Sequence, residues 1–200
     1  MFKISFGNQD NDFRNLKDDE LIKKTQQGQT IAFEILYDRY KDKIYSYIRN
    51  ILNYNEQEST IVLSDVFIKL FEYISKNEIK SFKTFLYKVA HNTCIDFIRS
   101  NKSEYRIDEN TYVVEDSQDS IQKDNFNTEF KQKIMMDYLG QLDEKHRDVL
   151  YLYYQEEKSY DEIAEIIGSN KNSVGTLIFN AKKELKEKIK DEKLLEEITI

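Results

Sequence analysis

Apolar residues recur every three or four positions along most of the chain, the spacing that places them on one face of an α-helix. In the first half this pattern predicts four helices, over about 17–27, from Gly28 to about 53, over 56–75 and over 81–101. The second has the longest apolar stripe, formed by Ile31, Ile35, Leu36, Tyr40, Ile44, Tyr47, Ile48 and Ile51. The first half of the chain is therefore predicted to form a helical bundle.

A second pattern, near the other end of the chain, predicts two short helices that meet at a glycine. Ser159 and Glu162 form an S-x-x-E capping box that starts the first helix, and Gly168 stands where a helix end favours a left-handed residue. The second helix starts near Asn170 or Lys171, and its apolar side carries Val174, Leu177, Ile178, Ala181 and Leu185. This arrangement indicates a helix-turn-helix, with an ordinary αα-hairpin of a bundle as the alternative.

The outward side of that second helix supplies candidates for DNA contact, because amides and hydroxyls read base edges while lysines bind phosphates. The candidates for base edges are Asn172, Ser173 and Thr176. The candidates for phosphates are Lys171, Lys182 and Lys183. Gly175 interrupts this helix at a cost of roughly 1 kcal/mol relative to alanine. It either permits close approach of the backbone to DNA or is simply a weak point.

Composition narrows the class of protein. The 200 residues include no proline and 5 glycines, which favours an all-helical protein. The sequence has no signal-peptide pattern and no charge-free apolar run near 18 residues, so a cytoplasmic protein without membrane insertion is expected. Cys94 has no partner for an internal disulfide, and His91 and His146 lack ligands at metal spacing. We therefore predict that the protein has no metal site, no cofactor and no enzymatic activity.

The formal net charge of −7 by itself disfavours DNA binding. The distribution of charge along the chain changes this interpretation. Residues 80–106 carry a net +4, and so do residues 171–190. Residues 107–130 between them carry seven acidic side chains and one lysine, a net −6. Two basic surfaces joined by an acidic linker describe the chain better than its total charge does. The linker is either a disordered tether or a mimic of nucleic-acid charge.

The fourth predicted helix and the loop before it combine basic and aromatic side chains, as a surface that captures unstacked bases requires. Phe82, Phe85 and Tyr87 alternate there with Lys80, Lys83 and Lys88. The alternative is that the aromatic residues are core and the lysines form a solvated face. His91 is interpreted as a surface residue of this helix.

Four blocks of the sequence, in order, carry a resemblance to a known family: AFEILYDRYKDKIYSYI, LSDVFIKLF, FKTFLYKVAHNTCIDFIR and LDEKHRDVLYLYYQEEKSYDEIAEIIG. They resemble bacterial RNA polymerase sigma factors of the extracytoplasmic-function (ECF) type, over about residues 18–187. The resemblance implies an all-α chain with an N-terminal bundle and a C-terminal helix-turn-helix bundle joined by a linker. It divides the chain into an extension (1–17), a region 2-like domain (18–106), the acidic linker (107–130), a region 4-like domain (131–190) and a tail (191–200).

The same resemblance implies partners and roles. Asp65, Phe67 and Leu70 match the surface that binds core RNA polymerase. The residues that the resemblance assigns to promoter melting and the downstream element are Lys80, Lys83, Lys88, Asn92 and Arg99. The second helix of the helix-turn-helix matches the reader of the upstream promoter element. Core RNA polymerase and promoter DNA are thus the expected partners, and an anti-sigma factor is a candidate. A stand-alone helix-turn-helix regulator that binds DNA as a dimer is the alternative function.

Overall fold

The structure, a computed structural model, describes residues 13–104 and 138–190, and the regular elements in these two stretches are helices. An N-terminal bundle contains α1 (Asp18–Gln26), α2 (Thr30–Ile51), α3 (Glu56–Ile74) and α4 (Phe82–Glu104). A C-terminal bundle contains α5 (Glu144–Tyr154), α6 (Tyr160–Ile167) and α7 (Lys171–Lys190). The predicted all-α class with two bundles is confirmed. The predicted acidic linker, 107–130, and the tail, 191–200, lie outside the described residues.

Side-chain caps fix where α3 and α6 begin. The Asn55 side chain accepts a hydrogen bond from the Glu58 backbone N–H at 3.1 Å and starts α3. At α6 the Ser159 hydroxyl accepts from the Glu162 N–H at 3.3 Å, and the Glu162 carboxylate accepts from the Ser159 N–H at 3.0 Å. The predicted capping box is therefore present, and acidic residues in both first turns also favour the positive end of each helix dipole.

The core of the N-terminal bundle forms around α2, which contacts α1, α3 and α4. Of the apolar stripe predicted for this helix, Ile31 is only partly buried, while seven residues are buried: Ile35, Leu36, Tyr40, Ile44, Tyr47, Ile48 and Ile51. Burial of each large apolar side chain contributes about 1.5–3 kcal/mol. A stripe of this length therefore gives α2 enough apolar surface to hold three neighbouring helices.

In the C-terminal bundle, α5 precedes the two helices of the turn motif, and its apolar spacing alone did not reveal it. Its N-cap is Asp143, whose carboxylate accepts from the His146 N–H at 2.8 Å. α5 contacts both α6 and α7. The buried apolar residues of the bundle include Val149, Leu152, Ile163, Ala164, Ile166, Val174, Ile178 and Ala181. α5 is thus the platform on which the helix-turn-helix rests.

The two bundles pack against each other through α2 with α5 and α4 with α6. The Tyr47 hydroxyl donates to Asp148 Oδ1 at 2.7 Å, across 101 positions of sequence. His91 Nδ1 lies 2.8 Å from Asp148 Oδ2, although the ring N–H is not aligned for a hydrogen bond. The interpretation of His91 as a surface residue is therefore wrong, because the C-terminal bundle covers it.

Within the described stretches, no helix is long and apolar enough to cross a membrane.

The capping box generates a stability prediction. Ser159→Ala should lower the free energy of unfolding by about 1 kcal/mol, because the Glu162 N–H loses its acceptor. The hydrogen bonds from Ser159, the backbone N–H first and the hydroxyl second, lower the pKa of Glu162. A lowered folded-state pKa contributes stability above the ordinary value of 4.5, and the contribution is lost as pH falls through the lowered value. Thermal denaturation should therefore give a smaller difference between wild type and variant in acid.

Ser169→Ala is the matched control, since Ser169 is exposed just beyond α6. It should stay within about 0.5 kcal/mol of wild type. A Ser159→Ala variant as stable as this control at neutral pH would contradict the prediction.

Candidate nucleic-acid interface

The turn between α6 and α7 has the geometry that the sequence predicts. Gly168 has φ 65° and ψ 41°, in the left-handed region, and its N–H donates to the Ala164 carbonyl. Asn170 then starts α7, because its side chain accepts from the Ser173 N–H at 2.9 Å. A left-handed glycine followed by a capping asparagine lets the chain reverse within three residues. The two helices are therefore held at a fixed crossing.

α7 presents one face to its bundle and the other to solvent. Val174, Ile178 and Ala181 are buried against the rest of the C-terminal bundle. On the outward side, Asn172 and Thr176 are exposed one turn apart, and the Thr176 hydroxyl donates to the Asn172 carbonyl at 3.1 Å. A shallow depression follows this side and is lined by Tyr160, Lys171, Asn172, Gly175, Thr176 and Phe179. Such a face can enter a groove of DNA with amide and hydroxyl groups leading.

The other residues predicted to contact DNA from α7 have varied surroundings. Ser173 is only half-exposed. Lys171 Nζ forms an exposed ion pair with the Asp161 carboxylate of α6 at 2.7 Å. Lys183 pairs with Glu187 at 3.9 Å, one turn along the same helix. Exposed pairs of this kind contribute little stability, so both lysines can exchange a carboxylate for a phosphate.

Aromatic side chains enlarge this face, and the sequence pattern did not identify them. Phe179 is 68% exposed and Tyr154 is 61% exposed. Lys182 Nζ lies 5.0 Å from the ring centroids of both Tyr153 and Tyr154, and interaction with Tyr154 raises the pKa of Lys182. Exposed phenylalanine on a reading helix can contact a thymine methyl group. The sequence does place Phe179 off the apolar side of α7, and this position could have predicted that its ring is exposed.

The residues predicted for promoter melting lie in the other bundle, on α4 and the segment before it. Lys80, Lys83, Asn92 and Arg99 are exposed, whereas Lys88 is half-buried. The aromatic residues between them mainly support the helix: Phe82 and Tyr87 are buried, and Phe85 stacks on Tyr73 with centroids 4.4 Å apart. The charged side chains thus provide the exposed part of this surface.

The predicted polymerase-binding residues of α3 divide into two groups. Asp65 is exposed, but Phe67 and Leu70 are 5% and 0% exposed. Phe67 packs edge to face on Phe33 and Tyr37, so both buried residues hold α3 in the bundle. α3 exposes four large apolar or aromatic side chains, Ile61 at 56%, Ile68 at 58%, Phe71 at 37% and Tyr73 at 40%, and the two isoleucines are the most exposed. Ile61 and Ile68 lie one turn before and one turn after Asp65, so these three residues share one face.

His146 has neighbours that sequence spacing did not reveal. Its Nδ1 lies 2.7 Å from Glu184 Oε2 and 3.2 Å from Asp143 Oδ2. The three side chains are close enough together to be candidate metal ligands. Because the imidazole nitrogen already pairs with both carboxylates, the cluster is sufficiently explained as a link between α5 and α7.

These features define a two-bundle helix-turn-helix protein in which the second helix of the motif exposes one face. Comparison with known families agrees: residues 36–104 match Sigma-70 region 2, and residues 132–185 match Sigma-70 region 4. The chain is 30% identical to the ECF RNA polymerase sigma factor SigW of Bacillus subtilis over 184 residues, covering 85% of this chain and 95% of that protein. It belongs to the ECF RNA polymerase sigma factors. The alternative of a stand-alone regulator is not favoured, because both sigma regions are present.

Solved structures share the fold. CnrH, determined in complex with the cytosolic domain of CnrY, superposes with a TM-score of 0.64 at 19% identity, covering 88% of this chain and 98% of that one. RpoE of Bartonella quintana, in complex with the anti-sigma factor NepR, also gives 0.64, at 14% identity over 80% of this chain and 98% of that one. At these identities the likeness concerns the fold.

Gly175 generates a prediction about the two roles considered for it. A Cβ at this position would lie 3.5 Å from the Tyr160 ring, an ordinary contact, and the backbone is not left-handed. Gly175→Ala should therefore raise the free energy of unfolding by roughly 0.5–1 kcal/mol. Since Gly175 lies on the outward side, the same variant should weaken promoter binding by the polymerase complex. Thermal denaturation and a promoter-binding titration would test the two parts.

Gly168→Ala is the control for the stability part, because its φ of 65° penalises a side chain. It should destabilise the protein by about 1 kcal/mol. Unchanged promoter binding by Gly175→Ala would instead identify Gly175 as a weak point of the helix.

Proposed function

We propose that this ECF sigma factor divides promoter recognition between its bundles, with α4 facing the melted strand and α7 facing the upstream promoter element. The observation that carries the proposal is the outward side of α7. It exposes Asn172 and Thr176 on a helix whose other side is fixed by the bundle core. Amide and hydroxyl groups held rigidly can discriminate base edges, and the lysines beside them position the backbone.

For the melted strand, the support comes from the exposed charges around α4. Lys80 and Lys83 are free of ion pairs among the residues described, and Asn92 and Arg99 are exposed along the same helix. Unstacking bases leaves the phosphate backbone to be neutralised and base edges to be paired. The lysines and the arginine can neutralise the phosphates, and the amide of Asn92 can pair with base edges.

For core RNA polymerase, we assign the contact to the exposed face of α3, with Asp65 between Ile61 and Ile68. This face combines a carboxylate with two large exposed apolar side chains, a composition suited to a protein partner. Phe67 and Leu70, buried beneath it, position the helix. Their substitution should therefore act through stability, whereas substitution of Asp65 should act on binding.

Two further inferences concern a protein inhibitor and the cellular compartment. CnrH and RpoE were solved with CnrY and with an anti-sigma factor, so a protein inhibitor of that kind is a candidate partner here. The family consists of non-catalytic transcription initiation factors. We infer that this chain acts in the cytoplasm, together with the polymerase, and without covalent chemistry of its own.

Transcription from a library of promoter fragments by core RNA polymerase, with and without the protein, tests the proposal. Transcripts that depend on the protein and share two short elements at fixed spacing are expected. In the same assay, Asn172→Ala and Thr176→Ala should alter preference in the upstream element, and Asn92→Ala should alter strand opening. No change in start sites on adding the protein would overturn the proposal.

The lysines of α7 generate a quantitative prediction. Each phosphate neutralised by a lysine adds about 0.9 to the slope of log affinity against log salt concentration. Lys183→Gln should therefore reduce that slope by about 1 for the polymerase complex bound to promoter DNA. The slope comes from binding titrations at several salt concentrations. Lys23→Gln, which removes an exposed charge from α1, should leave it unchanged.

A further inference from the structure

The Gln26 side chain of α1 reaches across the N-terminal bundle to the segment that joins α3 to α4. Gln26 Nε2 donates to the Ile74 carbonyl at 3.2 Å and to the Asn77 carbonyl at 3.0 Å, across 48 and 51 positions of sequence. Ile74 is the last residue of α3, and Asn77 belongs to residues 75–81, named here the α3–α4 segment. Gln26 therefore connects α1, the end of α3 and the segment that follows it.

The two hydrogen bonds use both hydrogens of the Gln26 amide. A glutamine nitrogen carries two N–H donors, and each of the two carbonyls accepts one. The partners also fix which way the amide faces, because a reversed amide would place its oxygen against two carbonyl oxygens. The Ile74 carbonyl is among the last four of α3, which receive no hydrogen bond within the helix. Gln26 thus satisfies a helix end and holds the segment that leaves it.

α1 is fixed in the bundle and can serve as an anchor. Leu21 and Ile22 are 0% and 6% exposed, and the Thr25 hydroxyl donates to the Leu21 carbonyl at 2.9 Å. Just beyond Gln26, Gly28 has φ 83° and ends the helix in the left-handed conformation. The core of the bundle therefore sets the position from which the Gln26 side chain extends.

The hydrogen bonds of the α3–α4 segment lie near its two ends. The backbone N–H and the side chain of Asn77 both donate to the Tyr73 carbonyl at 3.0 Å. At the other end, the Ser81 and Thr84 hydroxyls lie 3.0 Å apart. Lys80 is exposed between these ends and follows Asn77 by three residues, so a fixed Asn77 confines it to within roughly 11 Å.

We propose that Gln26 is a positioning residue for promoter melting: by holding the Ile74 and Asn77 carbonyls, it places Lys80 beside the phosphate backbone of the melted strand. This role rests on the proposed function, which assigns Lys80 to that strand, whereas the restraint on the segment is a property of the free protein. Groups that are ordered before they bind cost less conformational entropy on binding. Gln26 acts through the α3–α4 segment and needs no contact with DNA.

The first experiment follows hydrogen exchange in the free full-length chain by NMR spectroscopy. The Lys76 and Asn77 amides donate to the Tyr73 carbonyl at 3.1 and 3.0 Å, so their exchange reports local opening of the segment. Gln26→Met keeps the approximate length of the side chain and removes its donors. It should accelerate exchange of both amides roughly tenfold, the change expected from loss of two hydrogen bonds between uncharged groups.

Two further variants separate the hydrogen bonds from other effects of the substitution. Gln27→Met makes the same change at the next residue, which is also exposed, and should exchange at the wild-type rate. Gln26→Lys keeps a donor beside the end of α3, where a cation is favourable, and should exchange close to the wild-type rate. Wild-type exchange in Gln26→Met would overturn the restraint. Exchange as fast in Gln27→Met or Gln26→Lys as in Gln26→Met would overturn the hydrogen bonds as its cause.

The second experiment measures strand opening by core RNA polymerase carrying each variant, from the permanganate reactivity of unpaired thymines. Gln26→Met should lower the rate of opening severalfold and leave affinity for core RNA polymerase unchanged, because the outward face of α3 is not altered. Gln27→Met should open the promoter at the wild-type rate. Retained far-UV circular dichroism and Tm in Gln26→Met would show that the loss does not come from unfolding.

A double-mutant comparison tests whether Gln26 acts through Lys80. A displaced segment already presents Lys80 poorly, so the effects of Gln26→Met and Lys80→Gln on the free energy of opening should be less than additive. The effects of Gln26→Met and Arg99→Gln should add, because Arg99 lies roughly 25 Å along α4 from its first residue. Full additivity with Lys80→Gln would overturn the positioning role.

Failure of the positioning role and failure of the proposed function give different results. If the wild-type complex opens the promoter and Gln26→Met opens it at the same rate, the positioning role is overturned. If the wild-type protein supports no opening at all, the proposed function for the melted strand is overturned, and the exchange measurement on the free protein still decides whether Gln26 holds the segment.

Discussion

Arg147 carries a positive charge into the boundary between the bundles, where burial lowers the pKa of the guanidinium and a charge removed from water requires hydrogen-bond acceptors. The required acceptors are backbone carbonyls at the end of α2 and in the turn before α5. Carbonyls have fixed positions, so the guanidinium fixes the distance and angle between the helices. Breaking such a set leaves buried polar groups without partners, which is costly. The arrangement of the two bundles depends on this geometry.

The same boundary explains why the outward face of α7 is exposed to solvent. α6 contacts α4 on one side and α7 on the other, so it lies between the N-terminal bundle and the reading helix. α7 therefore presents Asn172, Thr176 and Phe179 to solvent while the two bundles are packed together. The packing of the two bundles sets the distance between α7 and α4.

The charges on α7 and on the whole chain also affect how the free protein binds DNA. Lys171 and Lys183 of α7 pair with the carboxylates of Asp161 and Glu187, and the net charge of the chain is −7. Both properties weaken binding of the free protein to DNA, because a phosphate must compete with carboxylates already in place. Exposed pairs of this kind are weak, so either lysine can exchange its carboxylate for a phosphate.

The sequence by itself determined the features that arise within one or two helical turns. The stripe of α2, the capping box at Ser159 and the left-handed Gly168 all follow from spacing of three or four residues, and the structure agrees with them. The order of the four motif blocks was likewise sufficient to identify the sigma family. These signals are local, because periodicity and capping depend on side chains that are neighbours along one helix.

Only the tertiary structure decided which residues of those helices meet across the molecule. It buried Phe67 and Leu70, covered His91, and paired His146 with Glu184 across 38 positions. It also placed Arg147 against the end of α2, 96 and 97 positions away. Spacing cannot predict such contacts, since a helical period states which side is apolar and not which partner covers it. Partner choice depends on complementary shape and on hydrogen-bonding groups that meet only when the bundles pack.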